Sequence, residues 1–138
     1  MIGSRGANVD HLVIGPGGVF TINTKNVSGP VWVAERTLLV AGTKHSEFLP
    51  KAVNEAANVS TMLSRAVGVH VDVSPAIVFV DSELTVKAMP TDVTVLGIEH
   101  LARWLKSRPT IFTSEQVNAL GSASAQPATW MAGSRGNR

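Results

Sequence analysis

An unbroken apolar run at residues 76–80 (Ala, Ile, Val, Phe, Val), entered from Pro75, constrains the fold more than any other feature of this sequence. A strand with one solvated face alternates apolar and polar side chains; a strand without alternation needs cover on both faces. The run therefore belongs inside a sheet, and the rest of the chain must supply the layers around it. The spacing predicts a helix over residues 50–66. Pro50 suits a first helical turn, Ala52, Ala56, Val59, Leu63 and Ala66 form an apolar stripe, and Gly68 ends the helix. A second helix over 98–106 places Ile98, Leu101, Ala102 and Leu105 on one side, and Thr113 with Gln116 forms a capping box that starts a last short helix. Strands are expected at 11–14 and 19–25, at 31–33 and 38–40 as a hairpin around Glu35 and Arg36, and near 85–87 and 93–96. His70 and Asp72 alternate with Val69, Val71 and Val73 and read as the polar side of an amphipathic strand.

This order of elements implies an α/β fold with a central mixed sheet flanked by helices. The 138 residues suit one domain, expected over residues 1–120. From Gly121 onward Gly, Ser, Ala and Pro dominate, so residues 121–138 read as a flexible tail. Zero cysteines exclude disulfides, thiolate metal sites and a cysteine nucleophile. The net charge of +2 neither demands nor forbids a polyanionic partner. No stretch approaches the roughly 18 consecutive apolar residues of a membrane span, and no secretory h-region opens the chain, so a cytoplasmic protein is expected. Neither Gly-x-Ser-x-Gly nor His-Glu-x-x-His occurs, and no Gly-Lys follows the glycines at 15–18, which read as a hairpin turn rather than a nucleotide loop.

That hairpin can be worked out. With residues 15–18 as the loop, Ile14 faces Val19, Leu12 faces Thr21 and Asp10 faces Asn23. Alternation puts Asn23 and Lys25 on one face and Phe20, Ile22 and Thr24 on the other. Asp10, Asn23 and Lys25 thus cluster on one sheet surface, with cross-strand Cβ atoms about 5 Å apart. Two readings fit such a cluster. One is a divalent-metal site in which oxygen donors hold the ion and the lysine orients a water. The other is a partly exposed Asp10–Lys25 ion pair with Asn23 filling a hydrogen-bond slot.

The stretch from Asp10 and His11 through Gly15-Pro16-Gly17-Gly18 to Asn23-Thr24-Lys25 resembles the central motif of the nuclease-related domain (NERD) family, within the PD-(D/E)xK, restriction-endonuclease-like superfamily. The order of elements around Asn54-Glu55-Ala56-Ala57 and the strand from Pro75 is also similar. The resemblance implies a restriction-endonuclease-like core and metal-dependent phosphodiester hydrolysis of DNA with Mg²⁺ or Mn²⁺. By the resemblance, Asp10 matches the metal-binding aspartate, Lys25 the catalytic lysine, and the main-chain carbonyl of Thr24 is a further metal ligand. Asn23 stands where the second acid would stand, a neutral oxygen ligand in place of a charged one. His11 and Glu55 are the substrate-contact candidates; Glu55 otherwise reads as a solvated helix edge, and Lys44, His45 and Lys51 as phosphate contacts or solvated charges. The motif begins at residue 10, without the helix and strand that usually precede it, which implies a reduced version or a piece of a larger parent protein. The alternative is a catalytically inactive nuclease-fold module that binds nucleic acid or a protein partner. A homodimer is compatible with either.

Overall fold

The computed structural model describes residues 11–135, with the backbone alone for residues 132–135. In chain order it contains β1 (His11–Gly15), β2 (Gly18–Lys25), β3 (Val31–Val33), β4 (Leu38–Val40), β5 (Thr43–Lys44), the long helix α1 (Phe48–Val67), β6 (Val73–Phe79), β7 (Leu84–Val86) and β8 (Thr94–Gly97). A 3₁₀ turn, Ile98–His100, leads into α2 (Leu101–Lys106), followed by α3 (Ser114–Ser124) and α4 (Pro127–Arg135). The strands divide into two sheets rather than one. The first has the order β1-β2-β6-β8 and the second β5-β4-β3-β7. The first is mixed, with β1 antiparallel to β2 while β2, β6 and β8 run parallel.

The apolar run lies in β6, between β2 and β8, and is covered on both faces as its composition requires. Ile77 and Phe79 pack with the inner residues of the second sheet and with Leu49 and Ala52 of α1. Ala76 and Val78 pack with Phe20 and Ile22 of β2 beneath Leu101, Trp104 and Leu105 of α2. Each fully buried Val, Leu, Ile or Phe side chain among them contributes roughly 1.5–3 kcal/mol. The α1 stripe starts one turn earlier than its spacing predicts, at Leu49, and runs through Ala52, Ala56, Val59 and Leu63; Ala66 is exposed. Gly68 closes the helix at φ 82°, its N–H donating to the Ser64 carbonyl, a left-handed conformation that glycine adopts without strain.

The β1–β2 hairpin keeps the expected register, with Leu12 opposite Thr21 and Ile14 opposite Val19. The strands reach further into the loop than expected, pairing Gly15 with Gly18 and leaving Pro16 and Gly17 as the turn. The Pro16 carbonyl accepts hydrogen bonds from the N–H groups of Ile111 (2.7 Å) and Phe112 (3.0 Å). A Cβ at Gly17 would stand 2.6 Å from Cβ of Arg108, so only glycine allows this approach. The alternation at residues 69–73 does not make a full strand: β6 begins at Val73, and His70 and Asp72 form an exposed 2.7 Å contact ahead of it.

The expectation of a flexible tail from residue 121 is corrected through residue 135, where the structure carries the end of α3 and all of α4. Thr113 and Gln116 form the capping box expected for α3, each side chain bonded to the other's main-chain N–H. The helix continues because alanine favours the helical state, and because Leu120 and Ala123 bury against α1 and Val19. Trp130 of α4 joins the same cluster, with its indole N–H donating to the Ser124 carbonyl at 3.0 Å. Composition suggested solvation; the three apolar anchors Leu120, Ala123 and Trp130 decide for packing.

Candidate active site

Strand β2 offers a row of polar side chains to α1. Thr21, Asn23 and Lys25 alternate with Phe20, Ile22 and Thr24, and the even set turns toward the α2 side. Thr21 is fully buried, and its hydroxyl has no hydrogen-bond partner among the described residues. Asn23 is 5% exposed, so its amide needs a partner inside the protein. The partner is Glu55, whose Oε1 accepts from Nδ2 of Asn23 at 2.7 Å. Ala52 and Ala56 on either side of Glu55 are both buried, and their small side chains let α1 lie close on the sheet and carry the carboxylate to the strand.

Lys25 lies further along the same face, its ammonium 4.4 Å from the centroid of the Phe48 ring. The His45 imidazole stacks on Phe48 at 5.2 Å and 21°. Asn23, Lys25, Phe48, Lys51, Ala52, Glu55 and Ile77 together line a pocket of about 60 Å³ between β2 and α1. Lys51 and Glu55 are four residues apart on α1 and so share one helix face. Among nearby groups Glu47 has a lowered pKa, because a hydrogen bond from its own backbone stabilises the carboxylate and His45 adds to the effect.

The structure thus brings Asn23, Lys25 and Glu55 together. Glu55 is no solvated helix edge but a half-buried partner of the strand. Thr24 sits between Asn23 and Lys25. The Lys25 carbonyl accepts from Val80 at 2.9 Å, and since carbonyls alternate along a strand, that of Thr24 points to the opposite edge, the β1 side. His11 does not join the pocket. It is exposed and pairs with Ile22, which places it on the sheet face that α2 covers. Asp10 lies outside the described residues. Ile77, read in sequence only as part of the buried run, and Phe48, not singled out at all, complete the pocket; an aromatic two residues before Pro50 carries no signal of its own. A larger cleft of about 570 Å³ on the other flank of α1, lined in part by Arg36, Asn54 and Asp92, contains none of the expected site residues.

A mixed sheet with helical cover, whose central strand presents an amide and a lysine to a helix carboxylate, makes an α/β module consistent with a nuclease-like core. The family model described as the nuclease-related domain, NERD, matches residues 2–80, more than half of the chain, and the chain belongs to that family. The match spans β1 to β6 with α1, and so contains Asn23, Lys25 and Glu55. No curated protein and no solved structure matches the chain. Among the described residues no helix is long and apolar enough to cross a membrane.

Proposed function

We propose that this domain hydrolyses phosphodiester bonds in DNA with the help of Mg²⁺ or Mn²⁺, at the pocket between β2 and α1. One observation carries the reading: the 2.7 Å hydrogen bond that sets the Glu55 carboxylate beside position 23, where the family's second acid stands. The charge missing from the strand is supplied from the helix.

The donor set fits a hard divalent ion. Asn23 and Glu55 bring an amide and a carboxylate, and Mg²⁺ takes one or two carboxylates while keeping several waters. Among the described residues no group of three or more His, Asp or Glu converges, so these donors cover one side of such an ion. Asp10 and the Thr24 carbonyl are the further ligands proposed. When bound, the ion polarises a phosphoryl oxygen and acidifies a water. Lys25 offers an ammonium on the same face, suited to orienting that water and offsetting developing negative charge. Phe48 keeps this ammonium at the pocket rather than in open solvent. Asn23 holds Glu55 in place through the hydrogen bond and fixes the carboxylate's orientation.

Plasmid nicking tests the reading. Wild type is expected to nick with Mg²⁺ or Mn²⁺ and not with chelator, while Lys25→Ala and Glu55→Gln lose activity. A second reading draws on the neutrality of Asn23 and on its amide N–H occupying a Glu55 oxygen: a module that binds nucleic acid or a protein partner without turnover. Inactive wild type with DNA retained in a shift assay would select that reading.

A further inference from the structure

A second cavity lies on the α2 side of the first sheet, across from Asn23 and Lys25. It measures about 350 Å³, within the range of small-molecule sites, and opens where the β1–β2 turn meets the end of α2. Val13, Phe20 and Leu105 give it apolar walls, while Lys106, Arg108 and Thr110 are its polar side chains. No carboxylate lines it, and neither Lys106 nor Arg108 has an ion-pair partner among the described residues. Arg108 is nevertheless held in place. Its Cβ lies so close to the turn that a Cβ at Gly17 would stand 2.6 Å away. Its guanidinium rests 5.0 Å from the centroid of the Trp104 ring, which itself meets Phe20 edge-on. Nε donates to the Trp104 carbonyl and one Nη to the Ser107 hydroxyl, each at 3.3 Å. Of a guanidinium's five N–H donors these use two, and three are left. The carbonyls of Arg103, Trp104 and Leu105 already accept from the main-chain N–H groups of Ser107 and Arg108, so the end of α2 needs no further cation.

We infer that this cavity binds a small free carboxylic acid with an apolar body, its carboxylate on Arg108 and its body between Val13, Phe20 and Leu105. A guanidinium fork matches the two oxygens of a carboxylate, and no acid in the cavity competes for it. Burial of the apolar body adds the rest of the affinity. A phosphate presents three terminal oxygens and draws readily on main-chain N–H groups. Here the N–H groups of Ile111 and Phe112 are spent on the Pro16 carbonyl. The site is separate from the proposed hydrolytic pocket and does not rest on it.

The experiment is isothermal titration calorimetry with phenylpropionate. Phenylpropylamine, phenylpropanol and acetate run beside it, to reverse the charge, remove the charge and remove the ring. Phenylpropionate is expected to bind one to one and the other three much more weakly. Arg108→Gln is expected to lose roughly tenfold or more in affinity, the worth of a hydrogen bond to a charged group. Arg108→Lys keeps the charge without the fork and is expected to recover part of it. Gly15 shares a sheet face with Val13 and lines the cavity, and a Cβ there meets nothing within 4 Å. Gly15→Leu therefore fills the cavity without disturbing the hairpin and is expected to abolish binding. Lys44→Gln, on β5 of the second sheet, is expected to leave binding unchanged. Circular dichroism of each variant separates loss of binding from loss of fold. Phenylpropionate that gives no binding at millimolar concentration, an alcohol or amine that binds as well, or a folded Arg108→Gln with unaltered affinity overturns the site. Adenosine monophosphate that displaces phenylpropionate and binds more tightly overturns the carboxylate assignment in favour of a phosphate. A peptide ending in phenylalanine that binds more tightly than the free acid overturns the free ligand in favour of a protein chain end. No readout involves nicking, so failure here leaves the proposed hydrolysis standing, and failure of the hydrolysis leaves this site.

Discussion

Asn23→Asp probes the site through stability rather than turnover. Asn23 is 5% exposed, and its amide lies 2.7 Å from a Glu55 carboxylate oxygen. The substitution replaces a donor by an acceptor and sets two carboxyls against each other. Two full charges about 4 Å apart at an effective dielectric of about 20 repel by about 4 kcal/mol. Protonation limits that cost. Keeping one carboxyl neutral at pH 7 against an unfolded value near 3.9 costs about 1.36 kcal/mol for each of roughly three pH units, again about 4 kcal/mol. The two estimates agree, so a loss of about 3–4 kcal/mol is expected at pH 7 in chelator. The sign follows from linkage: the folded variant holds a proton that the unfolded chain releases, so stability falls as pH rises above about 4. At pH 5 the protonation cost shrinks to about 1.5 kcal/mol. Urea denaturation at pH 5 and pH 7, with EDTA or with Mg²⁺, reads all of this. A divalent ion bound between the carboxylates replaces the repulsion by attraction, so Mg²⁺ is expected to recover most of the loss at pH 7. Equal stability of variant and wild type at pH 7 in chelator would refute the Asn23–Glu55 geometry. A loss that Mg²⁺ leaves untouched would refute the metal reading and spare the geometry.

Other perturbations read other parts of the molecule. Thr21→Val removes a buried hydroxyl without a partner among the described residues and keeps the side chain's shape, so thermal denaturation is expected to show a gain of about 1 kcal/mol. Gly17→Ala drives a methyl group to 2.6 Å from Cβ of Arg108 and is expected to cost about 1–3 kcal/mol in the same assay. Trp130→Ala empties the cluster beneath α4 and is expected to speed amide exchange in α4 while sparing β2 and β6. The Glu47 carboxyl is expected to titrate below the ordinary glutamate value by NMR. Its contribution to stability is complete above the unfolded value and lost as pH falls through the lower folded one.

Local chemistry was legible in the sequence, and tertiary proximity was not. The pairing of Leu12 with Thr21 and Ile14 with Val19 follows from the position of the glycine-rich turn, because a hairpin turn sets register. The double burial of β6 follows from a run without alternation, and the start of α3 from two residues of a capping box. Division into two sheets was hidden because Val31–Val33 and Leu38–Val40 pair with each other by local rules but choose β7 and β5 as outer neighbours by packing. The same holds at the site. Asn23 and Lys25 share a face by alternation alone, but Glu55 reaches them only because α1 crosses β2 at the level of Ala52 and Ala56. In sequence its place beside the apolar stripe marks a helix edge; in the fold that edge overlies the one buried amide of the strand. The end of α3 and the whole of α4 were obscured by composition, since small residues suit a tail and a close-packed helix pair equally.

The anchoring of the hairpin turn has a consequence for how the chain is made. Pro16 accepts its hydrogen bonds from Ile111 and Phe112, some 95 positions later. At ribosomal rates of about 5–20 residues per second, the hairpin emerges roughly 5–20 s before its turn can be fastened. Its sheet neighbour β6 also arrives late, after the whole of α1. During synthesis the apolar sides of β1 and β2 therefore wait in the open. The segment beyond the family match, from residue 81 onward, is what finally fastens the hairpin turn.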